Sequence, residues 1–401
     1  MGNGKQRRAL LLVALAAVLA NASWFSATAV VPALQQDWHL TPAGAAWLVI
    51  MVQIGFVTGS VGAALLNLPD RIEPRWLIAG SAVAAGVTNL GLLAASGLTV
   101  ALPVRFGVGV ALAGVYAPAV RLVATHFERG RGVATGAVVG ALTLGSGSPY
   151  LVRGLGNVPW QATIAVTSVL AVLAAVSVRT VRPGPAAIAS PPLDIGAALR
   201  ALARHRPLRL ATLGYLGHMW ELYALWSWLS AFFVASRLMH RPGMAETGAV
   251  AFLAIGVAGL LGAVAAGRLA DRLGRTAITS GAMLISAACC LASPLAFGAA
   301  LPVLVAVLLI WGASVIADSA QFSAAVTELA EPRYAGSVLA LQLAAGFTLT
   351  IVSIRLVPLV VGAVGWRYAL LPLAAGPLLG TVAMLRLRRL PAARVLANGR
   401  R

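Results

Sequence analysis

The sequence predicts an all-α integral membrane protein, with twelve transmembrane helices arranged as two pseudo-symmetric six-helix bundles. Three observations carry that prediction. The 401 residues are 60% hydrophobic and only 10% charged, against roughly 25% charged in soluble domains, so a water-soluble chain of this size has more apolar surface than it can hide. The apolar residues fall into runs near the roughly 20 residues that cross a bilayer core as helix. Charged motifs recur across the middle of the chain at a nearly constant offset.

Bounded by charges or by Pro and Gly breaks, the runs cover 9–34, 43–68, 76–96, 99–124, 132–154, 160–180, 208–235, 247–270, 276–298, 301–326, 334–361 and 366–386. The first run admits a rival reading, because KQRR, then ALLLVALAAVLA, then ANA before Ser23 has the layout of a cleavable signal peptide. The apolar stretch continues to Leu34, too long for a signal h-region, and cleavage would remove one helix of the repeat. A retained first helix is therefore expected.

Orientation follows from lysine and arginine, which collect on the cytoplasmic side of membrane proteins. With the N-terminus inside, 24 of the 30 basic residues lie in cytoplasmic segments, whereas Arg153, Arg237, Arg241 and Arg367 lie outside and Arg105 and Arg355 fall within runs. Both termini are expected in the cytoplasm. Near-exclusive use of arginine over lysine, with abundant Ala, Gly and Val, suggests a GC-rich bacterial genome, so a bacterial cytoplasmic membrane is expected. Residues 181–207 form the longest polar stretch and separate a first half, 1–180, from a second, 208–401. Within it, LDIGAALRALARH reads either as a short basic amphipathic helix on the inner surface or as a plain linker.

The halves repeat. ERGRGVATG at 128–136 matches LAEPRYAGSV at 329–338, with Arg131 over Arg333 at an offset of 202. At the same offset Arg153 lies over Arg355, each followed by a Gly- or Pro-rich loop and a tryptophan, Trp160 or Trp366. The loop after the second run holds DRIEPR from Asp70, and the loop after the eighth holds DRLGR from Asp271.

Several chemistries are excluded. Lys5 is the only lysine, so no G-x-x-x-x-G-K-[ST] phosphate loop exists. There is no H-E-x-x-H and no G-x-S-x-G, and five scattered histidines with the adjacent Cys289 and Cys290 assemble neither a metal site nor a disulfide framework. The net charge of +19 lies between apolar runs and at the ends, not in a basic stripe with interleaved aromatics, so no nucleic-acid partner is expected. Neither an enzyme nor a cofactor is indicated.

GRLADRLGR at 267–275 resembles the loop signature of the major facilitator superfamily, with Gly267, Asp271, Arg272, Gly274 and Arg275 in place. The first copy, LNLPDRIEPR, keeps Asp70, Arg71 and Arg75 but has Leu66 and Glu73 where the signature has glycine. RFGVG, Arg105 to Gly109, resembles the family's Arg-x-x-x-Gly element, and Gly136 and Gly145 fit the glycine spacing of its antiporter element, with Pro149 one place early. A tight turn needs glycine for left-handed backbone, and an aspartate beside it stabilises a facing helix N-terminus by roughly 0.3–1 kcal/mol. The resemblance implies a latch between halves, with Asp271 facing the helix start at Arg131 and Asp70 the one at Arg333. A surface ion pair fixing one loop is the plainer alternative. The resemblance also implies a monomer working by alternating access, with the first, fourth, seventh and tenth helices around a central cavity.

Four charges lie at membrane depth: Arg105, Glu221, Asp318 and Arg355. Each costs about 2.5–3.5 kcal/mol at a helix centre on insertion scales, so such groups face a cavity or a partner. Helical spacing puts His218, Glu221, Leu225 and Trp228 on one face of the seventh run, with Met219, Tyr223 and Trp226 pointing away. Trp311, Ser314, Asp318 and Gln321 form a stripe on the tenth run, Arg105 and Tyr116 share a face of the fourth, and Asn21, Trp24 and Thr28 one of the first. Asn21, Trp24, Thr28, Arg105, Tyr116, Glu221, Trp228, Trp311, Ser314, Gln321 and Arg355 are the expected solute contacts. Glu221, Asp318, His218 and Arg105 are the expected proton-coupling groups. For Glu221 the alternative is a salt bridge or hydrogen bonding in helix packing, and for His218 and the aromatics ordinary packing.

The expected activity is secondary transport of a small organic solute, driven by an ion gradient because no ATP site exists, with titratable acids on the cavity helices favouring protons over sodium. The glycine element of the fifth run leans towards efflux antiport of an amphipathic compound. The rival is uptake of an organic anion through Arg105 with Arg355 or Arg153. Nitrate-type members of the family pair arginines on the second and eighth helices, whose interiors lack them here, which disfavours that substrate. A reading of another class is a non-transporting receptor or lipid-handling protein on the same scaffold.

Overall fold

A computed structural model of the chain describes residues 3–127, 131–156, 158–185, 194–237 and 242–400; the side chains of Asp70 and Arg131, both expected latch residues, lie outside what is described. The described residues are helical nearly throughout and form no strand. Twelve long helices follow the twelve apolar runs. In the first half they are α1 (Asn3–Asn21), α2 (Pro42–Leu65), α3 (Pro74–Leu90), α4 (Leu98–Ala124), α5 (Arg131–Gly154) and α6 (Trp160–Val178). In the second they are α7 (Arg206–Ser236), α8 (Met244–Leu273), α9 (Arg275–Ala296), α10 (Leu301–Leu329), α11 (Ala335–Val364) and α12 (Trp366–Arg388).

Nine of the twelve, among the described residues, are long and apolar enough to cross a bilayer. The other three are α1, α5 and α7, each too polar on average for a physical reason. The first opens on Lys5, Arg7 and Arg8, the second carries five glycines between Arg131 and Arg153, and the third holds Arg206, Arg209, His218 and Glu221. All three border the central cavity described below.

The first run departs from expectation, because it is not one helix. The chain leaves helical geometry after Asn21 and resumes as two short helices, Ser26–Ala29 and Val31–Asp37. The tenth run is also interrupted: helical stretches Leu301–Ala317 and Ser319–Leu329 meet at Asp318. In α8, Phe252–Ala258 is π-helical, the single-turn bulge that recurs at functional positions in long helices.

Small residues set the packing within and between bundles, as in other membrane helices. A Cβ on Gly55 of α2 would stand 2.0 Å from the Phe106 carbonyl of α4, and one on Gly109 would stand 2.2 Å from the Val52 carbonyl. The glycine of the RFGVG element therefore seats α4 on α2. Between the bundles, α5 runs along α8: a Cβ on Gly136 would meet the Ala263 carbonyl at 2.9 Å, and one on Gly248 the Tyr150 carbonyl at 2.5 Å. Gly145 instead abuts Val18 of α1. The fifth-run glycine spacing thus has a direct structural use, close approach of α5 to two neighbours.

Between the halves, Ile195–Arg204 forms a short helix capped by Asp194, whose carboxylate accepts from the Ala197 amide at 2.7 Å. It buries Ala198 and Ala201, exposes Ile195, Leu199, Arg200 and Arg204, and is tied to α11 by the Asp194 amide donating to Ser337 Oγ.

Candidate functional site

A cavity of about 70 Å³ lies between the bundles, far below the roughly 300–1,000 Å³ of a small-molecule pocket. The bundles must part to admit a solute. The first bundle lines it with Asn21, Trp24, Phe56, Tyr116, Val139, Leu142, Thr143 and Ser146. The second lines it with Tyr215, Met219, Leu222, Tyr223, Trp226, Ile316, Ser319, Ser323, Leu343 and Phe347. No acid, histidine or basic side chain is among them.

Contacts between the bundles flank the cavity on two sides. Towards the face that carries the termini, Tyr116 of α4 is hydrogen-bonded to Ser323 of α10. Towards the far face lies an aromatic cluster from both bundles. Trp24 packs on Phe56, Tyr223 and Phe347 with centroids 5.1, 5.7 and 5.9 Å away, and Phe25 meets Tyr223 and the edge of Trp226. The Tyr150 hydroxyl donates across the bundle interface to the Trp226 carbonyl at 3.2 Å.

The face of α7 turned to this cavity is the reverse of the one expected. Tyr215, Met219, Tyr223 and Trp226 line it, whereas His218, Glu221 and Trp228 point into the second bundle. A membrane carboxylate can be held by donors on neighbouring helices instead of by cavity water, and these neighbours supply them. Glu221 Oε1 accepts from Ser286 Oγ of α9 at 2.5 Å, from Cys290 Sγ at 3.2 Å and from the indole of Trp311 on α10. Nearby, His218 Nδ1 stands 2.8 Å from Asp318 Oδ1, with both side chains sealed from solvent. His218 Nε2 has no hydrogen-bond partner among the described residues. Ser286 and Cys290 carry no sequence signal of this role, since an isolated serine or cysteine in an apolar run signals nothing by itself.

Most other expected solute contacts also lie off the cavity. Asn21, Trp24 and Tyr116 line it, but Thr28, Arg105, Glu221, Trp228, Trp311, Ser314, Gln321 and Arg355 do not. Trp228 donates to the Ile354 carbonyl at 3.0 Å, Ser314 to the Trp311 carbonyl, and Gln321 accepts from Arg275 at 2.7 Å. Arg105 is fully buried inside the first bundle. Its Nε donates to the Leu48 carbonyl at 3.2 Å, one terminal nitrogen to the Ser23 carbonyl, Ser26 Oγ and Asn89 Oδ1, and the other to the Trp24 carbonyl.

In the loop motif, Gly274 has φ +95°, a backbone that explains its glycine. In the first copy Asn67 takes the left-handed turn instead, with φ +52°. Gly267 faces the other bundle, 3.7 Å from where a Cβ on Gly136 would stand. Arg275 is a brace within the second bundle, paired with Glu328 through its Nε and a terminal nitrogen at 2.5–3.0 Å. Glu328 also accepts from the Ala397 amide of the C-terminal segment, and Arg400 donates to the Asp271 carbonyl. Arg71 and Arg272 are exposed, and Arg333 pairs with its neighbour Glu331 at 2.8 Å.

The family model of the Major Facilitator Superfamily matches residues 13–354. The chain belongs to that superfamily. It is a multi-pass membrane transporter and not an enzyme, and transporters of this kind move small molecules across a bilayer. No individual curated protein matches it. Among solved structures it is similar to the proton:xylose symporter XylE bound to 6-bromo-6-deoxy-D-glucose, with TM-score 0.74 and 14% identity over 96% of each chain. It is also similar to a bacterial homolog of the human lysosomal transporter Spinster in an inward-facing, unoccupied conformation, with TM-score 0.67 and 14% identity over 99% of each chain. At that identity the likeness is one of fold.

Proposed function

We propose that this transporter is a proton-coupled antiporter that exports a small amphipathic solute by alternating access, as a monomer in a bacterial cytoplasmic membrane with both termini inside. The observation that carries the reading is the division of labour around α7. One face presents Tyr215, Met219, Tyr223 and Trp226 to an uncharged aromatic cavity, and the other presents His218 and Glu221 to a sealed cluster with Asp318. An uncharged aromatic site suits a neutral solute or a delocalised cation, whose charge aromatic faces stabilise by about 0.5–2 kcal/mol each. It suits an organic anion poorly, because neither Arg105, Arg153 nor Arg355 reaches the cavity.

The acids serve as the proton site. Two carboxyls and an imidazole in one buried cluster change the charge of the second bundle when a proton arrives, and Asp318 sits where α10 is interrupted. At the inner face, Asp271 opposite the start of α5 and Asp70 opposite the start of α11 act as the latch, with Arg71, Arg131, Arg272 and Arg333 as its basic partners. Residues 1–180 and 208–401 are the two moving bundles.

Sealed proteoliposomes test this with a panel of fluorescent amphipathic dyes, neutral and monocationic, and an imposed pH gradient. Dye movement against the proton flow, abolished by a protonophore, supports the reading. Dye flux indifferent to the gradient removes the coupling. No flux of any dye, with lipid or receptor behaviour instead, favours the reading of another class.

A further inference from the structure

The Arg105 guanidinium lies at membrane depth, fully buried, and all its described acceptors are neutral oxygens. A buried charge without a counter-ion is costly, so what it holds matters. Two of its acceptors, the Ser23 and Trp24 carbonyls, belong to the segment where the first helix loses its regular hydrogen bonds, and such groups at bilayer depth must find donors elsewhere. Ser26 Oγ and Asn89 Oδ1 complete the set; Ser26 Oγ donates to Asn89 Oδ1 at 2.9 Å, and Asn89 Nδ2 donates to Ser168 Oγ of α6 at 2.9 Å. The broken segment is thereby anchored to α3, α4 and α6 at once. The side chains this segment carries, Trp24 and Phe25, pack beside the cavity against Tyr223, Trp226 and Phe347 of the other bundle.

We infer that Arg105 is the pin of an aromatic lid: its planar fork holds the unwound Ser23–Trp24 backbone so that Trp24 and Phe25 seal the far end of the solute cavity. It is a positioning residue, acting on the solute path through Trp24 and Phe25. The reason for arginine is geometric. Its five donors in a fixed plane reach carbonyls on two helices and two side chains together, which the three rotatable donors of lysine do not reproduce. The inference is independent of what ion drives transport and uses the proposed orientation only to say which face the lid guards.

The test reads lid closure and needs no known solute. In full-length protein with Cys289→Ser and Cys290→Ser, the cavity residue Ser319 is replaced by cysteine. Its reaction with a membrane-impermeant methanethiosulfonate is timed in intact cells and in inverted vesicles. Arg105→Lys and Arg105→Gln should each speed labelling in intact cells about tenfold, the ratio implied by losing one charge-assisted hydrogen bond, and Phe25→Ala should do the same with Arg105 intact. Labelling in inverted vesicles should not change. Should the arginine variants fail to reach the membrane, Asn89→Ala decides, since it keeps the charge and removes one acceptor. Faster labelling only in inverted vesicles supports the pin and reverses the orientation. Unchanged labelling in both arginine variants overturns the inference, as does a parent-like rate in Arg105→Lys alone, or equal acceleration from both faces.

Discussion

The His218 imidazole stands 2.8 Å from the Asp318 carboxylate, and Glu221, one turn further along α7, is held by Ser286 and Trp311 on the same side of that helix. None of these groups touches the cavity, whose α7 lining is Tyr215, Met219, Leu222, Tyr223 and Trp226. A charge change in the cluster therefore reaches a solute only by shifting α7 or α10, which are shared by both sites.

The His218–Asp318 pair should behave as one unit. Asp318→Asn or His218→Gln alone leaves a buried partner uncompensated, at a cost of about 3–5 kcal/mol if the pair is ionised. The double substitution should recover part of that loss, with a coupling of about 1–3 kcal/mol. Thermal unfolding of the four proteins in detergent measures it, and strict additivity would show that the contact carries no coupling.

Tryptophans two residues apart on α7 should fail differently. Trp226→Ala removes an aromatic wall of the cavity and should weaken amphipathic dye binding about 2- to 10-fold, the scale of one aromatic contact. Trp228→Ala empties a site packed on Trp366 and bonded to the Ile354 carbonyl. It should lower stability by about 3–5 kcal/mol without changing which dyes bind. Dye titration and melting curves on both variants separate the effects.

The two copies of the loop motif are unequal, and the latch should reflect it. The second has Gly274 in its left-handed turn and Gly267 against α5, whereas the first turns on Asn67. Asp271→Asn should reduce transport more than Asp70→Asn. Initial flux rates at matched protein levels test the order.

Orientation is tested on the helix between the bundles. Leu199 is exposed there among arginines. Leu199→Cys, in protein lacking Cys289 and Cys290, should resist an impermeant thiol reagent in intact cells and react in inverted vesicles. Labelling from outside would reverse the topology.

Helix positions were legible because bilayer thickness fixes the length of an apolar run, and outside the first run, whose long helix stops at Asn21, most observed helices begin and end within a few residues of those runs. The break after Asn21 was not, since ANASWFS contains no proline or glycine and the donor that stabilises its free carbonyls, Arg105, lies some eighty residues away. The rotation of α7 is hidden for a related reason. Charge does not mark the wet face here, because Ser286, Cys290 and Trp311 satisfy Glu221 from helices the sequence does not place beside it. One signal was available. Trp24 and Trp226 stand at the repeat offset of 202, and both line the cavity.

The central claim is that the proton site and the solute site are separate faces of one helix. Glu221→Gln tests it most directly, because glutamine keeps the volume and removes the titratable group. Dye binding and pH-gradient-driven dye flux are measured on the same proteoliposome preparation, with Glu221→Asp alongside. The account predicts binding within about twofold of the parent, given that no contact with the cavity is altered, together with loss of gradient-driven flux and partial flux in Glu221→Asp. Undiminished gradient-driven flux in Glu221→Gln, or loss of binding in a well-folded protein, would contradict it.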